Sequence, residues 1–425
     1  MSIAFSLLLI CLVFASGATI HDGFAVRSLL SLLAAIALVF VGASARAVDI
    51  KFASQATARL KVVVALPALW MLVQMLPLPF GAHSLWVYAN QALDQQAFGH
   101  ISIDLGATML SLAFYLTNIS LIVVALFVAR DRKKAELILL VLAGVSVAIT
   151  IALLFGKAGL VTWMDASDDV RSAISALGVL LWLAHAAGTI ERHRGRNVED
   201  GNSLKLVLSA SGIALVCCIG GLAASATLNV GLIAALGVLV FGSIQLVRRA
   251  DLANWTTAVL IVTLCIAAAM IATWRYDPTR MVSPLLQFAT AVSAEAASVT
   301  TRLLSDAGLP GTGAGTFAAL LPLYQGLGGS ITNPPSTVTA FAIELGWPMT
   351  LILIAIALWT MLVLFQGALN RGRDSYYSAL AAACVVVLLG QAFCDASLLN
   401  ATIATIADAV IGLGLAQRIS AKAGP

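Results

Sequence analysis

Residues 105–129 run without one charged side chain, and the chain repeats this pattern along almost its whole length. An apolar run of about 20 residues is long enough, as a helix, to cross the roughly 30 Å hydrocarbon layer of a bilayer. No water is available there, so each backbone N–H and C=O must find its partner within the protein, which a helix provides. Recurrent runs of this length therefore restrict the chain to a helical membrane bundle. Twelve can be counted, at 3–20, 26–43, 62–79, 105–129, 136–155, 171–190, 204–226, 228–247, 254–273, 338–365, 376–395 and 399–417. The two-residue alternation of a membrane barrel is absent. Composition agrees: 60% of residues are apolar and 10% charged, against about a quarter charged in soluble domains. The expected fold is an all-α polytopic membrane protein, one integral membrane domain over residues 1–425.

Charge sets the expected orientation. With the N-terminus inside, the inner loops hold 18 of the 24 basic residues, among them Arg46, Arg59, Arg130, Lys133, Arg192, Arg248 and Arg371. The outer side keeps Arg27, Lys157, Arg171, Arg275, Arg280 and Arg302. The positive-inside rule favours this arrangement, with both termini cytoplasmic. No basic region precedes the run 3–20, and no small-residue cleavage site follows it, so it reads as a retained first helix. The six cysteines lie in apolar runs without CxxC spacing and read as small buried hydrophobes. The net charge of +4 carries no argument for nucleic acid as a partner.

Two outer loops are long. One runs from Phe80 to Asp104 and carries His83, Trp86 and His100. The other, 274–337, is a large periplasmic loop between the ninth and tenth runs. Within it Leu285, Phe288, Val292, Val299 and Leu303 recur at helical spacing, which predicts a short amphipathic helix with Thr301, Arg302, Ser305 and Asp306 on its other flank. The stretch 308–348 that follows is the richest in Gly, Pro, Ser and Thr and is the best candidate for chemistry.

Charges inside a membrane are functional candidates by default. Glu344 is expected two turns into the tenth run, Asp395 at the outer end of the eleventh and Asp408 in the middle of the twelfth. Each is open as a structural hydrogen-bond partner or a functional group. Glu344 and Asp395 are expected at similar depth, facing one cavity. Arg275, Arg280 and Arg302 are the strong anion binders of the outer side. Arg302 is equally open as a partner of Asp306 one turn on, and Arg275 and Arg280 as interfacial anchors beside Trp274 and Tyr276. The run Gly311-Thr-Gly-Ala-Gly-Thr-Phe317 has glycine spacing that can cradle phosphates, but no strand precedes it and a dinucleotide site is dismissed. No GxSxG elbow or HExxH motif is present, and no metal site is expected. His185 reads as a buried, hydrogen-bonded residue, while His83 and His100 each stay open as catalytic.

Gly311-x-Gly313-x-Gly315-x-Phe317, followed by Pro322, Tyr324 and Glu344-Leu-Gly346 at the opening of a span, resembles the signature of the O-antigen ligase and O-antigen polymerase superfamily. Arg302 resembles that family's loop arginine. The run from Trp70 through Gln74 to Pro79 resembles its third span, and Ile101-Ser-Ile-Asp104 with Thr108 the start of its fourth. Asp395 resembles its C-terminal end. The likeness covers nearly the whole chain. Pro335 and Ser336 stand where the family has a His–Asn pair, and Ser225-Ala-Thr-Leu-Asn-Val-Gly231 holds no arginine where the family has Ser–Arg.

The resemblance implies an inverting glycosyltransferase at the periplasmic face of the bacterial inner membrane. It would take a glycan from an undecaprenyl-diphosphate carrier to a sugar acceptor, as ligase or polymerase, in exopolysaccharide or O-antigen biosynthesis. It implies no metal and no cofactor. Arginines would hold the diphosphate, and Glu344 would stand in for the missing histidine as base. Two alternatives stay open: a non-catalytic accessory subunit of a polysaccharide assembly and export complex, in contact with other assembly proteins, and a small-molecule transporter.

Overall fold

The computed structural model describes residues 2–20, 22–78, 82–94, 98–161, 166–194, 201–249, 284–290, 292–325, 331–370 and 374–418. The chain forms α1 (Ser2–Ala15), α2 (Phe24–Ser44), α3 (Ala47–Ala56), α4 (Lys61–Met75), α5 (Leu85–Leu93), α6 (Leu105–Val128), α7 (Arg132–Lys157), α8 (Asp168–Arg194), α9 (Gly201–Ser225) and α10 (Leu228–Arg249). There follow α11 (Ala294–Asp306), α12 (Phe317–Tyr324), α13 (Thr337–Glu344), α14 (Trp347–Asn370), α15 (Tyr376–Cys394) and α16 (Ala401–Arg418). No strand forms among the described residues. Nine of the described helices are long and apolar enough to cross a membrane, which makes this an all-α, multi-pass membrane protein. The expected ninth run, 254–273, lies outside the described residues, as do Arg275 and Arg280.

Two runs differ from expectation, and another takes a central place. The third, 62–79, is a helix of only 15 residues, Lys61–Met75, about 22 Å long at 1.5 Å per residue. It joins α3 through a bend of 79°, and the α3–α4 pair together has the length of one span. The tenth, 338–365, is two helices. Gly346 adopts φ +82°, which ends α13, and Pro348 then sits in the first turn of α14, where its missing N–H costs nothing. Glu344 is thus the last residue of a short helix ahead of the span, not a residue two turns inside it. The twelfth, α16, has 15 of its 18 residues buried, enclosed by α1, α6, α14 and α15. It is the inner helix of the bundle, and Asp408 lies buried within it.

Polar contacts group the loops at two ends. Asp49 pairs with Arg130, Arg132 with Asp374 at 2.8 Å, and Glu136 with Arg192. Arg248 donates to Ser375. All of these belong to loops assigned to the inner side. At the other end Arg27 bonds to Asp22 and to the Leu399 carbonyl, while Lys157 and Arg171 share Asp168. These contacts join loops that the charge reading placed on the same side as one another.

The long loop is ordered where it is described, by packing as well as capping. Ser293 caps α11 by accepting from Ala296 N at 3.1 Å, so the helix starts only at Ala294. Leu285, on a 3-10 turn at Pro284–Gln287, Phe288 and Val292 precede it, a correction to the longer stripe. Val299 and Leu303 do lie on one buried face, against Phe317, Leu320, Leu321 and Ile343. Thr301, Arg302, Ser305 and Asp306 are exposed on the other.

Candidate functional site: a glycine loop threaded against a broken helix

The glycine-rich run makes no open nest. Gly311, Gly313 and Gly315 all have positive φ, at 77°, 108° and 77°, a region that only glycine enters cheaply. The reversals lay the loop against the end of α13. Thr312 N donates to the Ile343 carbonyl at 3.0 Å and Gly313 N to the Glu344 carbonyl at 2.9 Å. Phe317 N, at the start of α12, donates to Glu344 Oε1 at 3.2 Å. A Cβ on Gly311 would sit 2.4 Å from the Glu344 carbonyl oxygen, and one on Gly346 2.0 Å from that of Leu309. Backbone meets backbone here, and no side chain fits between. These loop amides serve the break between α13 and α14 and are not left for an external phosphate.

Three other segments close around the loop. The Trp70 indole N–H donates to the Leu345 carbonyl at 2.9 Å. Gln74, fully buried, donates from Nε2 to the Pro310 and Glu344 carbonyls at 3.0 and 2.9 Å. Ser102 N donates to the Gln74 carbonyl, and Ile103 N to that of Thr312 at 2.9 Å. Thr108, in the first turn of α6, donates to the Ala314 carbonyl at 3.1 Å, and Asp104 caps the same helix through Ala107 N. Parts of the chain more than 200 residues apart thus meet within a few ångströms. Sequence reading marked Trp70, Ser102 and Thr108 only as parts of motifs. Their joint role, and that of Gln74, rests on contacts across the sequence.

Glu344 occupies the junction. Burial pushes its carboxyl up to about 7, while the Gly315 and Phe317 amides directed at it oppose that rise. Its side chain is half-buried, so the group is a carboxylate poised near neutrality at a helix N-terminus. Asp395, just past α15, lies at the other end of α13. Its backbone carbonyl accepts from Thr337 N at 2.9 Å and from the Thr337 hydroxyl at 3.0 Å. Seven helical residues separate the two contacts, about 10 Å along the axis. Glu344 and Asp395 therefore lie at opposite ends of one helix rather than side by side. Asp395 Oδ1 accepts from Ser397 N. Its Oδ2, both amide atoms of Gln391 and the Ser397 hydroxyl are buried without hydrogen-bond partners among the described residues.

Arg302 forms no ion pair among the described residues and does not pair with Asp306. Asp306 accepts instead from the Tyr324 hydroxyl at 2.8 Å and from Ser305. Burial and that carboxylate push the Tyr324 hydroxyl up to about 12. The two loop histidines separate in role. His100 donates from Nδ1 to the Met75 carbonyl at 2.9 Å and so belongs to the scaffold. His83 accepts at Nδ1 from Leu85 N. Burial holds His83 below the usual imidazole range against the pull of Asp306, which is near enough to act on it. His185 is buried, with Nδ1 3.2 Å from the Ser211 hydroxyl, as expected. No protein-family model matches the chain, and no curated protein is similar to it.

Proposed function

We propose that the protein transfers or polymerises a glycan held on a polyprenyl-diphosphate carrier, as an O-antigen ligase-like or polymerase-like enzyme of surface or exopolysaccharide biosynthesis in a bacterial inner membrane. The observation that carries the reading is convergence. The segments whose motifs resemble that superfamily, Trp70–Gln74, Ser102–Thr108, Gly311–Phe317 and Glu344–Gly346, hydrogen-bond to one another in a single knot. In this reading an acceptor hydroxyl attacks the anomeric carbon, the bond to the diphosphate breaks, and the hydroxyl proton passes to Glu344. A base with a pKa near neutrality suits that step. Arg302, exposed and without an ion pair among the described residues, stabilises the departing diphosphate, with Arg275 and Arg280 as further cations of the same loop. The unpartnered groups of Gln391, Asp395 and Ser397 are suited to sugar hydroxyls.

A second reading is favoured by one specific observation. Pro335 stands in place of the family's histidine, and the Glu344 carboxylate already accepts a loop amide. An accessory subunit of a polysaccharide assembly complex needs the knot but not the chemistry. Deleting the gene and profiling lipid-linked glycans separates the two. Accumulation of single carrier-linked repeats, reversed by wild type but not by Arg302→Ala or Glu344→Gln, supports the enzyme. Reversal by both variants overturns it in favour of the accessory role.

A further inference from the structure

A cavity of about 760 Å³ opens at the end of the bundle opposite the glycine loop, between the first turns of α7 and α9 and the last turns of α8. That volume lies within the range of small-molecule sites. Lys133 stands at its mouth together with Arg192, which pairs with Glu136. The Lys133 ammonium has no ion pair among the described residues. The N-terminus of α7 points to this end too, and its Lys133 N–H is already taken by the Asp131 carboxylate at 3.0 Å. Deeper in, Trp182 is 9% exposed and its indole N–H has no acceptor among the described residues. It stacks edge-on against His185 with ring centroids 5.5 Å apart. A side wall includes Leu206, which is 70% exposed on the outer surface of the bundle.

Each feature selects part of a ligand. The cationic mouth calls for an anion. The indole N–H, without an acceptor among the described residues, calls for an acceptor oxygen. The leucine wall, continuous with the lipid-facing surface, calls for hydrocarbon. We propose that this cavity holds the head of an anionic phospholipid from the adjoining leaflet, with its phosphate at the Lys133 ammonium, an ester or glycerol oxygen at the Trp182 N–H, and its acyl chains along Leu206. Basic pockets between spanning helices are suited to such headgroups.

The test uses the full-length protein in neutral detergent, with thermal unfolding followed as phosphatidylglycerol, phosphatidylcholine or inorganic phosphate is added. Phosphatidylglycerol raises the unfolding temperature saturably and the other two do not. Lys133→Gln weakens the apparent affinity about fivefold, the worth of one juxtamembrane cation. Trp182→Phe, which removes the N–H and keeps most of the ring, weakens it without altering charge. Equal stabilisation by phosphatidylcholine overturns the proposal, as does an equal effect of inorganic phosphate, which would mark a site for a soluble anion. Native mass spectrometry of the wild type gives a readout independent of the variants: one retained anionic phospholipid per chain is expected, and none overturns it.

Discussion

Replacing Gly346 by alanine tests whether the break between α13 and α14 is built on backbone contact. Two costs can be worked from the structure. The first is conformational. At φ +82° an alanine sits in a region that costs a side-chain-bearing residue about 1–3 kcal/mol. The second is steric. The new Cβ would lie 2.0 Å from the Leu309 carbonyl oxygen. Relief to ordinary contact needs a shift of about 1 Å between the loop and the helix break, and the obstacle is backbone, which cannot swing aside as a side chain can. Such a shift stretches the Trp70–Leu345 and Gln74–Glu344 bonds, both 2.9 Å, beyond useful length. Each lost bond costs about 1 kcal/mol. The total is about 3–5 kcal/mol. Reversible unfolding in mixed micelles, followed by tryptophan fluorescence, measures it. Gly212→Ala is the control, because a Cβ there meets nothing within 4 Å and alanine favours a helix interior by up to about 1 kcal/mol. A Gly346→Ala protein within about 1 kcal/mol of wild type would refute the reasoning, since neither the strain nor the contact would then be real.

Gln74→Leu strips the donor from two carbonyls in a closed site and is expected to destabilise by about 2–4 kcal/mol in the same assay. Arg302→Ala, on the exposed face of α11, is expected to change stability by less than about 0.5 kcal/mol; a larger loss would mean that the guanidinium is structural, and any glycan phenotype would lose its chemical reading. For pH dependence, burial lifts Glu344 from 4.5 to about 7, so between those values the folded chain binds more protons than the unfolded one. Stability from this group is therefore present at acid pH and falls as pH rises towards 7. Asp395, raised by burial from 3.8 to about 7, adds a slope of the same sign. Glu344→Gln is expected to flatten stability against pH over that window without abolishing the slope, and an unchanged profile would count against a titrating Glu344.

How much was legible in the sequence follows from the range of each interaction. Bilayer crossing is a local property. Runs such as 105–129 and 136–155 announce their helices because a helix satisfies the backbone in hydrocarbon from within the segment. The grouping of basic loops, later seen in the Arg132–Asp374 and Glu136–Arg192 contacts, was likewise readable, because charge bias is a property of single loops. The amphipathic face of α11 was visible in Val299 and Leu303, while its start depended on the Ser293 cap. The glycines of 311–315 drew attention by composition, but their purpose did not show. The same spacing that can cradle phosphate serves here to let one backbone lie on another.

What only the tertiary structure decided is which partners are long-range. Nothing local tells Gln74 that its amide belongs to Pro310 and Glu344; Gly346-Trp-Pro348 marks a helix-breaking point in the run 338–365, but not that its neighbour is Leu309. Apolarity continues through that break, so hydropathy reads one helix where backbone contact makes two. Asp395 and Glu344 looked equivalent by depth and were separated by the length of α13. The sequence determined that the chain is a helical membrane bundle and which loops lie together. Folding decided that the glycine loop, the α4 end and the α6 start close on one carboxylate, because that closure depends on contacts between residues hundreds of positions apart.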